Sequence, residues 1–491
     1  MLDRQSKPGV GTTRVAAVVA DIQARIAARK LAPGARLPSV RDFAAAAGVS
    51  KSTVVEAYER LVADGAITAR RGSGFYVAGA TRPLSLQSLR PDLDRAIDPL
   101  WVTRQSFSCG PDVLKPGWGM LPDSFMPDAS LQKALRQMAR DAAAHDRLHY
   151  SSPLGFAPLR ELLALRLCER GVVVAPDGIM LTDSTSQGLD LLFRLLIEPG
   201  DTVLVDDPCY FNFLAMLLSH RATIVGVPYG RTGPDLEALG QALATHRPRL
   251  YLTTAGLHNP TGVTISAATA HRVLRLAEQH DAVIVEDDTF ADLEDEVSPR
   301  LAGFDGLDRV IQVGCYSKTV SGAIRCGFVA ARPDWLDALV DLKLSTSLGN
   351  GHLASVLFHR LLTDGTYRRH CDGLRAKLGR AMGSTLERVK ALGLEPFHEP
   401  KAGMFVWAEL PDDLDAAAVA RFALAEDVLF APGNVFSVAH SARSYLRFNV
   451  ANCAEPRVFA VLERAMRAAA DSSGPQVRRP AERRAVAARQ I

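Results

Sequence analysis

A chain of 491 residues is too long for one compact core, so two or more domains are expected. Its hydrophobic content of 47% and charged content of 23% are typical of a soluble globular protein, and no apolar run approaches membrane-spanning length. The first residues lack the apolar core of a signal peptide. Together these features predict a cytoplasmic protein with no membrane partner.

The net charge of +3 conceals an uneven distribution. Residues 1–80 carry twelve Lys and Arg against six Asp and Glu, and residues 474–491 carry five Arg against one Glu. The residues between them are therefore acidic overall, with a net charge of −7. A basic N-terminal segment on an acidic body indicates contact with a polyanion, although a solvated charged surface would give the same pattern.

The seven cysteines are scattered between Cys109 and Cys453, without a C-x-x-C pair. This odd and dispersed set is typical of reduced, buried thiols. It predicts neither disulfide bonds nor a metal site.

Composition and periodicity divide the chain into four segments. Residues 12–78 alternate short helical patterns with turn signals, and residues 79–105, which contain Pro and Ser without a sustained period, are predicted to be a linker. Residues 106–472 alternate short apolar runs with longer helical patterns, which is typical of an α/β domain. The basic segment 473–491 is predicted to be disordered. The clearest predicted strands are residues 202–205, 250–252, 282–285 and 310–313, whose uniform apolarity indicates a sheet covered on both faces.

The N-terminal segment has the pattern of a small DNA-binding module. Three helices are predicted, over residues 15–28, from a cap at Ser39 to Ala47, and from Lys51 to about Ala63. Residues 67–77 follow as a two-stranded ribbon with a basic, glycine-rich tip. The exposed start of the third helix is where a recognition helix places side chains in the major groove. A helical hairpin and ribbon used only for packing would share this pattern.

The ordered motifs of this segment resemble the winged helix-turn-helix of the GntR family over some sixty residues. They are Pro33-Gly-x-x-Leu-Pro-Ser-x-Arg41, Gly48-Val-Ser-x-Ser-Thr-Val54 and Gly72-Ser-Gly74. By position, the resemblance implies DNA contacts from Arg41, Lys51, Ser52, Thr53, Arg71 and Gly72, with Arg36 as a further candidate for a phosphate contact.

A second set of motifs lies in the large α/β segment. The stretch Gly314-Cys-Tyr-Ser-Lys-Thr319, followed by Arg325, places Lys318 at the end of a predicted strand, beside hydroxyls and close to an arginine. A pyridoxal 5'-phosphate (PLP) pocket requires this arrangement, because the lysine forms a Schiff base with the cofactor aldehyde and the arginine binds its phosphate.

Four other positions carry groups that such a pocket needs. Asn259 follows a predicted strand and can donate to the cofactor's phenolic oxygen, while Asp287 ends another strand and can face the pyridine nitrogen. Tyr210 offers a ring for stacking, and Arg447 can bind a carboxylate bidentately. Residues 181–186 are rich in hydroxyls and precede a helix expected to start near Gln187, which is typical of an anion site.

Each position alone has a structural explanation, as a plain turn, a solvated strand end or an ion pair. Their order and spacing resemble the fold-type I PLP enzymes of the aspartate aminotransferase family over residues 110–470. The resemblance implies a large domain with a mostly parallel sheet, a smaller C-terminal subdomain, and the following roles: Lys318 for the internal aldimine; Asp287 for the pyridine nitrogen; Asn259 for the phenolic oxygen; Thr185, Ser317 and Arg325 for the phosphate; Tyr210 for stacking; Arg447 for a substrate or effector carboxylate; and Tyr150 for the neighbouring subunit's site.

The chain departs from this family at three places. Cys315 replaces a phosphate-binding hydroxyl, and Ser184 replaces a glycine at the start of the phosphate-binding helix. Thr289 and Phe290 stand where a tyrosine that contacts the phenolic oxygen is expected. These changes weaken the case for efficient transamination.

A GntR winged helix joined to an aminotransferase-like domain resembles the MocR subfamily of bacterial regulators. The resemblance implies a homodimer, possibly head-to-tail, that binds a double-stranded DNA operator at the nucleoid. It also implies an effector, either an amino acid or amine sensed as an aldimine or PLP itself. The alternative is a working PLP-dependent aminotransferase with an accessory DNA-binding domain.

Overall fold

The computed structural model describes residues 13–27, 30–32, 34–70, 73–78, 99–141 and 148–472. The chain divides into two compact units, Met1–Ser88 and Leu89–Ile491. The first is a small α+β module and the second is a large α/β domain with a C-terminal subdomain, so the fold class predicted from the sequence is confirmed.

The first unit contains three helices and a two-stranded ribbon. The helices are α1 (Arg14–Ala27), α2 (Val40–Ala47) and α3 (Lys51–Ala63), and the antiparallel strands are β1 (Ile67–Arg70) and β2 (Gly74–Val77). Ser39 and Ser50 cap α2 and α3 by accepting backbone N–H groups, and Gly48 ends α2 in the left-handed conformation, with φ at 65°.

Tyr58 of α3 is the centre of this unit's core. Its ring is fully buried, with edge contacts to Phe43 and Phe75 at centroid distances of 6.0 Å and 4.9 Å. Its hydroxyl donates to the carbonyl of Pro38 at 3.0 Å. The core therefore ties α2, α3 and the ribbon together and leaves the start of α3 at the surface.

The large domain is built on a sheet of eight described strands, in the order β3-β10-β9-β8-β7-β4-β5-β6. The strands from β9 to β5 in this order run parallel, whereas β10 and β6 are antiparallel to their neighbours. Four of the parallel strands, β4, β7, β8 and β9, are almost entirely buried, as their apolar sequences predicted, whereas most residues of β5 are partly or fully exposed. The bounds of the eight strands are β3 (Ile179–Thr182), β4 (Thr202–Asp207), β5 (Thr223–Gly230), β6 (Gly233–Pro234), β7 (Leu250–Thr253), β8 (Val283–Asp287), β9 (Val310–Cys315) and β10 (Gly327–Ala330).

Helices precede, connect and follow these strands. They are α4 (Trp101–Ser108), α5 (Asp128–Asp141), α6 (Ala157–Cys168), α7 (Thr185–Leu196), α8 (Phe211–Ser219), α9 (Leu236–His246), α10 (Ala267–Gln279), α11 (Leu301–Asp305), α12 (Pro333–Ser347) and α13 (His352–Thr363). Because the parallel strands end on one edge of the sheet, the residues that follow them are gathered there.

The C-terminal subdomain is joined to the large domain by the 26-residue helix α14 (Thr366–Ala391). Its four-stranded antiparallel sheet has the order β11-β12-β14-β13. The remaining bounds are β11 (Glu395–Pro396), β12 (Phe405–Glu409), α15 (Ala416–Ala425), β13 (Ala431–Pro432), β14 (Tyr445–Asn449) and α16 (Pro456–Ser472).

The predicted linker extends too far along the chain. Its last residues, 101–105, begin α4, where Trp101 and Val102 are buried against the C-terminal core. The pattern missed this helix because it follows a Pro-containing stretch and has only two turns. Residues 79–98 and the basic tail 473–491 lie outside the described residues.

The cysteine prediction is only partly right. All seven cysteines are free, but Cys168 is exposed, and Cys109 and Cys315 are partly exposed. Within the described ranges, no three His, Cys, Asp or Glu side chains form a group that could hold a metal ion. Among the helices described, none is long and apolar enough to cross a membrane.

Candidate functional site

Lys318 lies in the turn after β9, at the edge where the parallel strands end. Its half-buried Nζ donates to the carbonyl of Gly119 at 2.9 Å and lies 3.4 Å from Sδ of Met120. Burial lowers the pKa of the Lys318 amine, and the nearby positive charge of Arg447 acts in the same direction. A lower pKa increases the fraction of neutral amine, which is the nucleophilic form.

Arg447 projects from β14 and is almost completely buried, with 1% of its surface exposed. Its Nη1 donates to Oδ1 of Asn259 at 2.8 Å, and its Nη2 donates to the carbonyl of Gly117 at 2.7 Å. Nε has no hydrogen-bond partner in the described part of the chain, and no described carboxylate forms an ion pair with the guanidinium. A buried cation without an anion is costly, so its retention points to an anionic ligand.

Gly119 lies between these two cationic groups. A Cβ on Gly119 would be 4.0 Å from Nζ of Lys318 and 3.8 Å from Nη2 of Arg447, so the two nitrogens are at most about 8 Å apart. An amine and a carboxylate on one small molecule can span this gap.

Asp287 ends β8 and is 6% exposed. Its Oδ1 accepts hydrogen bonds from the backbone N–H and the hydroxyl of Thr289. Burial raises the pKa of Asp287 to about 6, against the opposing effects of the Thr289 hydrogen bonds and the Lys318 charge. A cationic ring nitrogen placed against this carboxylate would favour its ionised form.

The N-terminus of α7 forms the candidate phosphate site. The helix begins at Thr185, two residues earlier than the sequence indicated, because Ser184 caps it by accepting the N–H of Gln187 at 3.1 Å. Thr185 is buried, and its hydroxyl lies 3.1 Å from that of Thr289, next to Asp287. The serine that replaces the family's glycine therefore strengthens the helix start.

Three further residues belong to this region by sequence. Ser317 and Cys315 lie with Oγ and Sγ 3.0 Å apart, so the thiol contacts the hydroxyl that was expected to bind phosphate. Arg325 is exposed, and its one hydrogen bond in the described structure is a long one, 3.5 Å, to the carbonyl of Gly322. Its guanidinium is thus available to an anion.

Tyr210 precedes α8 at the same edge of the sheet. Burial raises the pKa of its hydroxyl to about 12, with smaller effects from Arg447, Asp287 and Cys315, which places its ring among these site residues. Asn259, also at this edge, is buried beside Arg447. These contacts bring together the residues proposed for the ring, its phenolic oxygen and the carboxylate.

Phe290, which stands in place of the expected tyrosine, has a packing role. It is buried, and its ring makes an edge contact with Phe405 at 5.6 Å. The Phe405 ring lies 4.3 Å from the Arg447 guanidinium, and Phe436 lies 4.8 Å from it. Aromatic faces therefore support the buried cation where no carboxylate does.

Tyr150 lies apart from these contacts. It is 76% exposed, in an extended stretch before α6. Its role in a neighbouring subunit's site stays a prediction.

Sequence reasoning did not find the segment from Gly117 to Met120. Its carbonyls accept hydrogen bonds from Arg447, Lys318 and Asn449, so it covers both cationic groups. Backbone carbonyls leave no signature in the side-chain pattern, and only the run Pro116-Gly-Trp-Gly119 offered a signal of close backbone approach.

The residues present fit PLP. The amine of Lys318, the carboxylate of Asp287 and the start of α7 with an available Arg325 match the cofactor's aldehyde, ring nitrogen and phosphate. Nε of Arg447 is buried without a hydrogen-bond partner among the described residues, so it retains a donor for a ligand acceptor beside this site.

Of the candidate DNA-contacting residues that the structure describes, most lie at the surface of the first unit. Arg36, Arg41, Lys51 and Ser52 are exposed. Thr53 is half-buried, and its hydroxyl lies 2.7 Å from that of the capping Ser50, so it is less available than expected. Nε of Arg36 would lie 3.5 Å from a Cβ at Gly74, beside the ribbon. Arg71 and Gly72 lie outside the described residues.

Comparison with protein families gives two matches. Residues 14–77 match "Bacterial regulatory proteins, gntR family", and residues 122–464 match "Aminotransferase class I and II". The second match covers more than half of the chain, so the large domain belongs to that family, whose cofactor is PLP.

Relatives that share both parts are named as regulators. The chain is 30% identical over 432 residues to "Uncharacterized HTH-type transcriptional regulator YdcR" of Escherichia coli, which covers 85% of this chain and 91% of that protein. It is also 30% identical over 431 residues to "Probable rhizopine catabolism regulatory protein MocR" of Rhizobium meliloti, covering 84% of each.

The large domain alone resembles an aminotransferase of known structure. LysN, the alpha-aminoadipate aminotransferase of Thermus thermophilus, solved with N-(5'-phosphopyridoxyl)-L-leucine, is 27% identical with a TM-score of 0.69. The similarity covers 76% of this chain and 95% of LysN, which leaves the N-terminal unit as the additional part. With both parts in one polypeptide and with regulators of the same composition as relatives, this chain belongs to the MocR subfamily of GntR-family transcriptional regulators and is a PLP-dependent, DNA-binding regulator.

Proposed function

We propose that the affinity of this regulator for an operator changes when a small molecule with an amino group binds beside Lys318. The small molecule is an amino acid or an amine. PLP itself is the simpler effector. The observation that carries the proposal is the buried, unpaired guanidinium of Arg447, at most about 8 Å from the Lys318 amine. An effector with both an amine and a carboxylate would satisfy both groups at once.

The proposed roles follow from the contacts of each residue. When bound, PLP supplies an aldehyde that reacts with amines and a ring that withdraws electrons. Asp287 holds the proton of the ring nitrogen, Asn259 donates to the phenolic oxygen, and Tyr210 stacks on the ring. Thr185, Ser317 and Arg325 would hold the phosphate, and the Lys318 amine would hold the aldehyde carbon, the position for which an effector amine would compete. Arg447 then orients the effector carboxylate.

The assembly belongs to the same proposal. We infer a homodimer, arranged head-to-tail, in which Tyr150 serves the partner's site and two DNA modules bind paired operator half-sites. Arg36, Arg41, Lys51, Ser52, Thr53, Arg71 and Gly72 contact the DNA. Because a regulator must meet its operator, we place the protein in the cytoplasm, at the nucleoid. The domain limits proposed for this architecture are residues 12–78 and 101–472, because α4 begins at Trp101 and packs against the C-terminal core.

Lys318→Ala tests whether the ligand acts through this amine. Operator fragments are first selected from genomic DNA with the wild-type protein, and occupancy is then measured with added PLP and a panel of amino acids and amines. Differential binding of this kind is worth about 1–3 kcal/mol, so the affinity for the operator, obtained from the occupancy curves, should change by about 5-fold to 150-fold in the wild type and not in Lys318→Ala. Lys133→Ala, which removes an exposed amine on α5, is the control.

Borohydride reduction followed by mass spectrometry should place the cofactor mass on the peptide that contains Lys318, and Lys318→Ala should lack it. Operator occupancy that responds equally to ligand in Lys318→Ala would contradict the proposal. Rapid conversion of the bound cofactor to its amine form by one of the amino acids would favour the alternative, a working aminotransferase, because turnover requires that form to accumulate.

A further inference from the structure

Thr319, the residue after Lys318, is held from the long helix α14. It is 2% exposed, and its Oγ1 lies 2.7 Å from the hydroxyl oxygen of Tyr367. Its carbonyl lies 2.8 Å from Nε2 of His370, which must donate because a carbonyl can only accept. Tyr367 and His370, in the first two turns of α14, therefore form hydrogen bonds with the side chain and the backbone of Thr319, next to Lys318.

The donors in this cluster can be assigned from Asp292. The Tyr367 hydroxyl donates to Oδ2 of Asp292 at 2.5 Å, so its single proton is used and Thr319 must donate to the Tyr367 oxygen. Asp292 also accepts from Arg166 at 2.7 Å and from Arg170. Burial would raise the pKa of Asp292, but these two guanidinium groups outweigh it and lower that pKa. The chain of hydrogen bonds from Thr319 to an ionised Asp292 thus has a fixed direction.

Helix α14 connects this cluster to a different core. Tyr367 and Cys371 are buried in the core of the large domain, whereas Leu378, Met382 and Val389 are buried in the core of the C-terminal subdomain. The second core also contains strand β14, which carries Arg447. At 1.5 Å per residue, the helix extends over about 39 Å, so a small tilt of its first turns becomes a larger displacement at its end.

We infer that Tyr367 and His370 are positioning residues that couple the state of Lys318 to the placement of the C-terminal subdomain through α14. The inference rests on the proposed function of Lys318 and adds a route for regulation. In the cofactor-free structure the Lys318 amine donates to the carbonyl of Gly119. An amine that holds the cofactor would no longer make this hydrogen bond, and the adjacent Thr319 would pass the resulting shift to the helix. A packed helix held at both ends transmits such a shift as a rigid body.

Hydrogen exchange of the full-length protein, measured by mass spectrometry with and without PLP, tests this coupling. In the wild type, PLP should slow the exchange of amides in residues 374–391 by about 5-fold or more, the lower end of typical coupling. Tyr367→Phe removes the hydroxyl that joins Thr319 to Asp292 and should abolish this protection. PLP should still bind Tyr367→Phe, as followed by its visible absorbance.

Tyr316→Phe is the matched control. Its ring lies 5.9 Å from that of Tyr367 in the same buried cluster, and its hydroxyl makes no hydrogen bond to any described residue. This variant should keep the protection of residues 374–391. Thr319→Val is the second test, because it removes the hydrogen bond between Thr319 and Tyr367 by deleting the threonine hydroxyl. The double variant with Tyr367→Phe should lose no more protection of residues 374–391 than either single variant.

Normal protection of residues 374–391 in Tyr367→Phe and Thr319→Val would overturn the inference, as would a PLP-loaded wild type without that protection. If Tyr367→Phe fails to fold, Thr319→Val decides alone. Failure of the proposed function would look different, because operator occupancy would then respond equally to ligand in the wild type and in Lys318→Ala.

Discussion

The carboxylate of Asp287 is buried, and burial disfavours its charged form. Its pKa in the cofactor-free site is about 6, above its ordinary value of 3.8. Below about pH 4 the side chain is neutral in both the folded and the unfolded chain. Between about pH 4 and pH 6 the folded chain keeps the proton that the unfolded chain releases, so this residue's contribution to stability falls as pH rises through that window.

Asp287→Asn should therefore stabilise the cofactor-free protein above pH 6 and have little effect near pH 4. A difference of about two pKa units corresponds to about 3 kcal/mol. The melting temperature of Asp287→Asn relative to the wild type should increase from pH 5 to pH 8, while PLP binding weakens because the partner of the ring nitrogen is lost. A relative melting temperature independent of pH would show that Asp287 is ionised in the folded protein throughout this range.

Among single residues, those whose chemistry is specific to the cofactor could be identified from the sequence. Lys318, Arg447, Asn259 and Asp287 stand in motifs, and the structure brings them together. The segment from Gly117 to Met120 was missed because it contacts Lys318 and Arg447 through backbone carbonyls, which every residue possesses. The role of Phe290 was also missed, because the loss of a hydroxyl is visible in a sequence whereas a new ring contact is not.

Among the secondary-structure elements, the start of α7 is the candidate phosphate site. We propose that the helix N-terminus, Thr185 and the exposed Arg325 bind the cofactor phosphate there, independently of the ring chemistry. Arg325→Ala should weaken PLP binding by about tenfold to a hundredfold, since a hydrogen bond to a charged group is worth about 1.5–3 kcal/mol. The dissociation constant from absorbance titration should be unchanged in Arg380→Ala, which removes an exposed arginine on α14. Equal affinities for Arg325→Ala and the wild type would remove Arg325 from the phosphate site.

Elements were predictable where one physical signal dominated. The parallel strands were found because burial on both faces requires continuous apolar runs, and α2 and α3 were found because serine caps mark their starts. The start of α7 was placed two residues late, because five consecutive residues, 182–186, can each cap a helix and only Ser184 does so. Helix α4 lacked such a signal, because its burial depends on contacts with residues hundreds of positions away.

For the whole molecule, the main question is whether one site draws residues from two chains. Tyr150 is 76% exposed on its own chain and, among the described residues, makes none of the contacts that build the cofactor site there. If Tyr150 contacts the phosphate of the partner's cofactor, Tyr150→Phe should weaken PLP binding by about tenfold or more. This loss alone does not say which chain's site Tyr150 serves, so a mixed dimer is needed.

A dimer of one Lys318→Ala chain and one Tyr150→Phe chain separates the two arrangements. If Tyr150 serves the partner, the Lys318 of the Tyr150→Phe chain receives an intact Tyr150 from the other chain, and this single site regains wild-type affinity for PLP. If Tyr150 serves its own chain, the only site with a lysine lacks the tyrosine hydroxyl and stays weak. Co-expression with two different tags isolates the mixed dimer, and PLP titration followed by borohydride trapping should show one tight site per dimer. Weak binding in the mixed dimer, equal to that of Tyr150→Phe alone, would place Tyr150 in its own chain's site and remove the shared site from the proposed assembly.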